Sequence, residues 1–210
     1  MDRKTEKDAH IWERDPDDWY VEPVECSLAL LKTMNFEGKI WDPAVGGGNI
    51  GKSAELCRLQ FVGSDLVKRS SYCDFEASFM EIEIPPKFTH IVSNPPFGVA
   101  EKFVLKALDL LDEGQSASML LPLVWMAGFS KKRDWLPNSP LSCVLPMSPR
   151  PSMPPGKVIE AGIKPGNGTK DFAWFVWTKG YMGPPTLSFL NTSPYKGRKN
   201  KPLVQGDLGI

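Results

Sequence analysis

Short apolar runs alternate with helix-spaced stretches along most of this chain, and that order limits its fold more than any other feature. Val24, Leu28, Leu30, Leu31 and Met34 fall near helical spacing, Asn35 and Gly38 supply a stop, and Lys39 to Asp42 follows as a short strand. A glycine-rich turn then opens a helix predicted from about Asn49 to Leu59, after which Phe61 to Ser64 form a strand ending in Asp65. Residues 89–93 make another short apolar run, stopped by Asn94-Pro95-Pro96. Residues 99–112 place Phe103, Leu105, Ala107, Leu108, Leu110 and Leu111 on one broad helical face. Ser118 to Leu121 and Phe172 to Trp177 read as further strands. Parallel strands need helix-length connections, so the predicted class is α/β, a mostly parallel sheet covered on both faces.

The 210 residues suit one catalytic-sized domain, with little room for a second. Apolar residues make up 41% and charged residues 24%, which fits a folded soluble domain rather than a disordered or fibrous chain. Twenty-five basic and 25 acidic side chains cancel, so binding to a polyanion would need local basic patches. No run reaches the roughly eighteen apolar residues of a membrane span, and residues 1–20 are polar and acid-rich where a signal peptide would be apolar. A cytoplasmic protein with no membrane partner is expected. Cys26, Cys57, Cys73 and Cys143 are scattered with no CxxC pair, and His10 and His90 are the only histidines. They are read as reduced packing cysteines, with neither a zinc site nor a disulfide framework.

Residues 1–18 carry alternating charges without an apolar period and are expected to be a lead-in. Between about 136 and 168 the composition shifts to proline and glycine, and only Cys143, Val144 and Leu145 look like strand. Such a stretch is either an ordered functional loop or a flexible one. Residues 181–210 are expected to be a basic tail.

Two constellations carry chemistry. Asp42-Pro43-Ala44-Val45-Gly46-Gly47-Gly48-Asn49 lies where a strand ends and a helix begins, and Gly46, Gly48 and Gly51 spell GxGxxG, with Asp65 following near the dinucleotide-binding distance. Glycines there let the backbone turn tightly and approach a ligand. An ordinary glycine-rich loop would look the same. Asp65, at a strand's C-terminal end, is placed to accept two ribose hydroxyls, and Asp74-Phe75 offers a carboxylate and an aromatic face to an adenine. Ser93-Asn94-Pro95-Pro96-Phe97 is the more specific constellation. Its prolines stiffen an extended chain, so the Asn94 side chain and the Pro95 carbonyl become fixed acceptors for one NH₂ group. Phe97 is then free to stack on the planar group that bears the amine.

With these motifs in this order, the chain resembles the class I S-adenosylmethionine-dependent amino-methyltransferases, and most closely the adenine-N6 DNA methyltransferases of phages and bacteria. The resemblance runs from about residue 19 to 180. It includes Trp19-Tyr20-Val21-Glu22-Pro23 ahead of the first helix, the Asp42 to Gly48 loop, Asp65, Asp74-Phe75, Asn94 to Phe97, and the aromatic run Ala173 to Trp177. It implies a methyltransferase catalytic domain over 19–180, folded as a Rossmann-like three-layer α/β/α sandwich with an antiparallel strand near 172–178. Asp42, Gly46 and Gly48 would surround the methionine part of S-adenosylmethionine, Glu22 and Pro23 would close that side, Asp65 would hold the ribose, and Asp74 with Phe75 would meet the adenine. Cofactor contacts are also expected from Tyr20, Pro43, Ala44, Asn49 and Leu66. Asn94, Pro95, Pro96 and Phe97 would form the catalytic motif, Asn94 and Pro95 orienting the amine for in-line attack, with no metal and no covalent intermediate.

Departures from the family pattern concern the substrate. Gly47 stands where a non-glycine residue is usual, and no span is large enough for a target-recognition domain. Lys131-Lys132-Arg133, Arg150 and the cluster Lys196, Arg198, Lys199 and Lys201 are the available phosphate contacts, and they are equally well explained as solvated surface. DNA is the expected partner and RNA the other nucleic-acid candidate, with a homodimer or an accessory subunit as a further source of specificity. Trp125 and Trp135 flank the basic segment and are read as packing. The same motif also fits methyltransfer to an RNA adenine or guanine amine or to a protein glutamine amide. A nicotinamide-dependent oxidoreductase would share the glycine loop and Asp65, and a non-catalytic binding protein would share the fold.

Overall fold

The computed structural model describes residues 18–130, 133–166 and 168–197. The order of elements is α1 (Val24–Thr33), β1 (Lys39–Asp42), α2 (Asn49–Leu56), β2 (Gln60–Asp65), β3 (Phe75–Glu76), β4 (His90–Ser93), α3 (Ala100–Leu110), β5 (Ser116–Pro122), β6 (Leu141–Ser148), α4 (Gly156–Glu160), β7 (Phe172–Thr178), β8 (Thr186–Leu187) and β9 (Leu190–Asn191). These strands form one sheet in the order β3-β2-β1-β4-β5-β7-β6-β8, with β9 also paired to β6. The pairings β3-β2, β2-β1, β1-β4 and β4-β5 are parallel, whereas β7 runs antiparallel to both β5 and β6. This is the expected Rossmann-like arrangement, with the late aromatic strand antiparallel.

Period-two alternation along each strand divides the core into two layers. Ile40, Val92, Leu120, Trp174 and Val176 face a layer completed by α1 and α2 through Cys26, Ala29, Leu30, Ile50 and Ala54. Their neighbours Trp41, Ile91, Ala117, Met119, Phe175 and Trp177 face the opposite layer, which α3 closes with Phe103, Val104 and Ala107. Trp125 also belongs to this second layer, edge-on to Phe175 and Trp177, so it packs as expected. α2 follows β1 onto one face and α3 follows β4 onto the other. Strand order therefore reverses between β1 and β4, which opens a crevice at their C-terminal ends, the place where ligands sit in open parallel sheets.

The structure corrects the reading of the proline-rich stretch. β6 is eight residues long and runs through Pro146, which pairs opposite Ala173. Its outer neighbours meet it only at Cys143-Val144 and Met147-Ser148, so Pro146 falls between them, where no outer strand requires its missing amide. Residues beyond 181, expected as a tail, supply β8 and β9, and Leu190 is buried in the core. Residues 1–17, Lys131, Lys132, Arg198, Lys199 and Lys201 lie outside the described residues.

Candidate active site

The C-terminal ends of β1, β2 and β4 bring Asp42, Asp65 and Asn94 to one cleft of about 380 Å³, within the usual range for small-molecule sites. Residues 18–22 cross its mouth and join Trp19, Tyr20, Val21 and Glu22 to the lining. This strap is fastened to the proline-rich stretch: Tyr20 pairs with Pro155, Val21 N donates to the Pro154 carbonyl at 2.9 Å, and Gly156 N donates to the Trp19 carbonyl at 2.9 Å. Asp18 fixes its other end by accepting from Gly98 N.

Carboxyl groups dominate the cleft. Asp42 is 1% exposed, and its Oδ1 accepts from Ala44 N at 3.1 Å and Ser93 Oγ at 2.8 Å. Its Oδ2 is buried with no partner among the described residues, and burial pushes the acid well above the usual carboxylate range. Asp65 Oδ2 accepts from Gly46 N at 2.7 Å, and its Oδ1 accepts from Val67 N at 3.2 Å and lies 3.6 Å from Arg69. Asp65 thus ties the glycine loop to the end of β2. The Arg69 guanidinium lies over the Trp19 ring, 4.6 Å from its centroid.

Asn94 sits directly after β4. Its Nδ2 donates to the Tyr20 carbonyl and to Glu22 Oε2, both at 2.8 Å, and its Oδ1 is buried without a partner among the described residues. Glu22 is itself 6% exposed, and desolvation lifts its carboxyl to about 7 despite the donation from Asn94. Phe97 opens a 3₁₀ turn and is half-buried, stacked on Tyr20 with centroids 5.7 Å apart and tilted against Phe172 at the same distance. Gly48, the residue before α2, has φ +85°, and a Cβ there would collide with Ser70 and Tyr72.

Of the expected cofactor contacts, Tyr20, Glu22, Asp42, Ala44, Gly46, Asn49, Asp65, Leu66 and Asn94 line the cleft, as does Pro96 of the motif. Pro23, Pro43, Gly48, Pro95 and Phe97 are not part of its lining. Asp74 and Phe75 are also outside the lining. Asp74 Oδ2 accepts from Gly63 N at 2.8 Å and so braces β2, while Phe75 sits on the exposed edge strand β3. Arg133, expected at phosphates, is turned inward: it lies over Trp125, donates to the Trp125 carbonyl at 3.1 Å and approaches Glu101 at 3.9 Å. Arg150 is exposed and makes a two-point contact with Asp171. The lining also holds Trp19 and Arg69, which sequence reasoning did not single out as contacts. Trp19 carried a signal in its place just ahead of Glu22-Pro23, whereas Arg69 carried none.

Four acids (Asp18, Glu22, Asp42 and Asp65) and one cation (Arg69) line the cleft. Burial raises two of these acids, Glu22 and Asp42, so the cleft presents carboxyl hydrogen-bonding groups as well as charge. Among the described residues no group of His, Cys, Asp or Glu is arranged to hold a metal ion, and no helix is long and apolar enough to cross a membrane.

No protein-family model matches the chain, and no curated protein matches it. Solved structures do resemble it. One, provisionally described as a class I S-adenosylmethionine-dependent methyltransferase from Listeria monocytogenes, aligns with a TM-score of 0.51 at 12% identity and covers 79% of this chain. The chain spans 62% of that structure's length. Another, provisionally described as a hemolysin from Lactococcus lactis, aligns with a TM-score of 0.54 at 10% identity, covering 78% of this chain and 92% of its own. At such identities the likeness concerns the fold, which is shared with a structure described as a class I methyltransferase.

Proposed function

We propose that the protein transfers a methyl group from S-adenosylmethionine to the exocyclic N6 amine of adenine in DNA. The observation that carries this reading is the Asn94 amide: both Nδ2 hydrogens are used inside the protein, and a buried Oδ1 is left without a partner among the described residues. An unpaired buried acceptor is costly unless a ligand donor completes it, and an amine supplies that donor. Accepting an amine hydrogen there aims the nitrogen lone pair instead of consuming it. Phe97 and Tyr20, stacked beside Asn94, provide aromatic surface of the kind on which a planar base packs once it leaves its helix.

The residues of the cleft fit the cofactor. S-adenosylmethionine supplies, when bound, an electrophilic methyl group on a positively charged sulfur. Asp42, whose Oδ2 has no partner among the described residues, and Glu22 offer carboxyl oxygens to the methionine end, where a bound cation would favour their ionisation, while Asp65 and the Gly46 loop offer the ribose end a carboxylate already fixed by backbone amides. The strap lines the cleft and is held there by its hydrogen bonds to the 154–156 segment.

Labelled S-adenosylmethionine offered with duplex DNA, single-stranded DNA, RNA and protein tests the acceptor. Label on N6 of adenine in DNA is the expected result. Label on RNA amines or on a protein glutamine would keep the amine geometry and replace the substrate. No label on any acceptor would remove the reading.

A further inference from the structure

The orientation of the Asn94 amide is set by two partners of different kinds. The Tyr20 carbonyl can only accept, so the Nδ2 end must face the strap and the Oδ1 end must be the one left over. The second partner is the Glu22 side chain, Oε2 at 2.8 Å. Glu22 is held in place on both sides: its own carbonyl accepts from Asn49 Nδ2 at 2.6 Å, and Pro23 begins the turn into α1 directly after it. α2, the strap and the motif loop therefore meet at one residue, α2 at its backbone carbonyl and the motif loop at its carboxyl group.

We infer that Glu22 is a positioning residue for Asn94, locking the amide jointly with the Tyr20 carbonyl so that Oδ1 alone is presented to the acceptor amine; this role rests on the methyl-transfer reading. A carboxylate that only balanced the cofactor's charge would have no need to reach the motif asparagine. A hydrogen bond to an ionised acceptor is about twice as strong as one to a neutral acceptor, so the lock is tightest when Glu22 is ionised. The charged and titratable groups around it are Asp42 and Asp65 across the cleft, Arg69 on the lining, and Cys26 in α1 with Glu25 and Lys196 beside that thiol. Burial lifts the Glu22 carboxyl to about 7 against the opposing hydrogen bond from Asn94, so the lock loosens as pH falls through that value.

The test uses the full chain labelled with ¹⁵N-asparagine. The Asn94 side-chain NH₂ signals are identified by their loss in Asn94→Ser and followed by NMR between about pH 5.5 and 8.5. The expected result is a shift with a midpoint near 7 in the wild-type protein that is absent in Glu22→Gln. In methyl transfer to an adenine-containing duplex, Glu22→Leu should lower kcat about tenfold or more with acceptor KM within about threefold. Glu22→Gln, which keeps an acceptor oxygen, should recover most of that loss and flatten the acid side of the pH profile. The inference is overturned if the Asn94 signals do not titrate, if Glu22→Leu matches an active wild type, or if Glu22→Gln fails to rescue. A wild-type protein without transfer would instead remove the methyl-transfer reading, and the NMR titration would still decide whether Glu22 holds Asn94.

Discussion

Asn94 and Asp65 meet the same cleft from the ends of β4 and β2, on either side of β1, and differ in what they already hold. Asp65 is engaged by two backbone amides and Arg69, whereas Asn94 Oδ1 has no partner among the described residues. Replacing Asn94 with alanine removes the amine acceptor and leaves the loop and Asp65 in place. Transfer should fall by about 100-fold or more, as misalignment of reacting groups commonly causes, while calorimetry shows S-adenosylmethionine affinity within about threefold of wild type. Gly48 illustrates a different constraint. Gly48→Ala combines a left-handed backbone with a collision at Ser70 and Tyr72, so it should lower the denaturant midpoint by an equivalent of roughly 1–3 kcal/mol.

Among the elements, the strap of residues 18–22 and the 154–156 segment act as one unit, because two backbone hydrogen bonds bind them and Trp19 packs against Gly156. A side chain at Gly156 would enter the Trp19 ring, so Gly156→Ala should displace Trp19 from the cleft. Cofactor affinity should drop about tenfold or more with a smaller change in thermal midpoint; unchanged affinity would dissociate the strap from ligand binding. This coupling marks the limit of what the sequence made legible. The helices around 24–34 and 99–112 and the strands at 39–42, 61–65 and 89–93 were readable because apolar period and stop residues agree there. β6 was not, since Pro146 masks a strand whose outer neighbours are two residues each. Asp42, Asp65 and Asn94 were legible because each ends a recognisable strand. The inward turn of Arg133 and the arrival of Arg69 over Trp19 depend on tertiary packing and leave no local pattern.

Across the whole molecule, the acids of the cleft shape both stability and binding. The folded protein holds Glu22 at about 7 against an ordinary value of 4.5, so it binds more protons than the unfolded chain between those values. Stability from this group is therefore highest below pH 4.5, declines as pH rises through the window, and is reduced by ~3 kcal/mol above about 7. Asp42, also raised by burial, acts in the same direction. Glu22→Gln should accordingly be more stable than wild type near pH 8.5, with the difference vanishing near pH 4.5; thermal melts across that range check the sign. The balanced formal charge supplies no global attraction to DNA, and among the described residues Arg133 and Arg150 are committed to internal partners. Weak sequence selectivity and a shallow salt dependence are the expected behaviour.

The most direct test of the central claim measures methyl transfer from labelled S-adenosylmethionine to duplex DNA by the wild-type protein and by Asn94→Ala, with cofactor binding measured on both. The wild type is expected to form N6-methyladenine and the variant none above background, with similar cofactor affinity in the two. Equal turnover by Asn94→Ala, or a wild-type protein that does not bind S-adenosylmethionine, would contradict this role for Asn94 and its cleft.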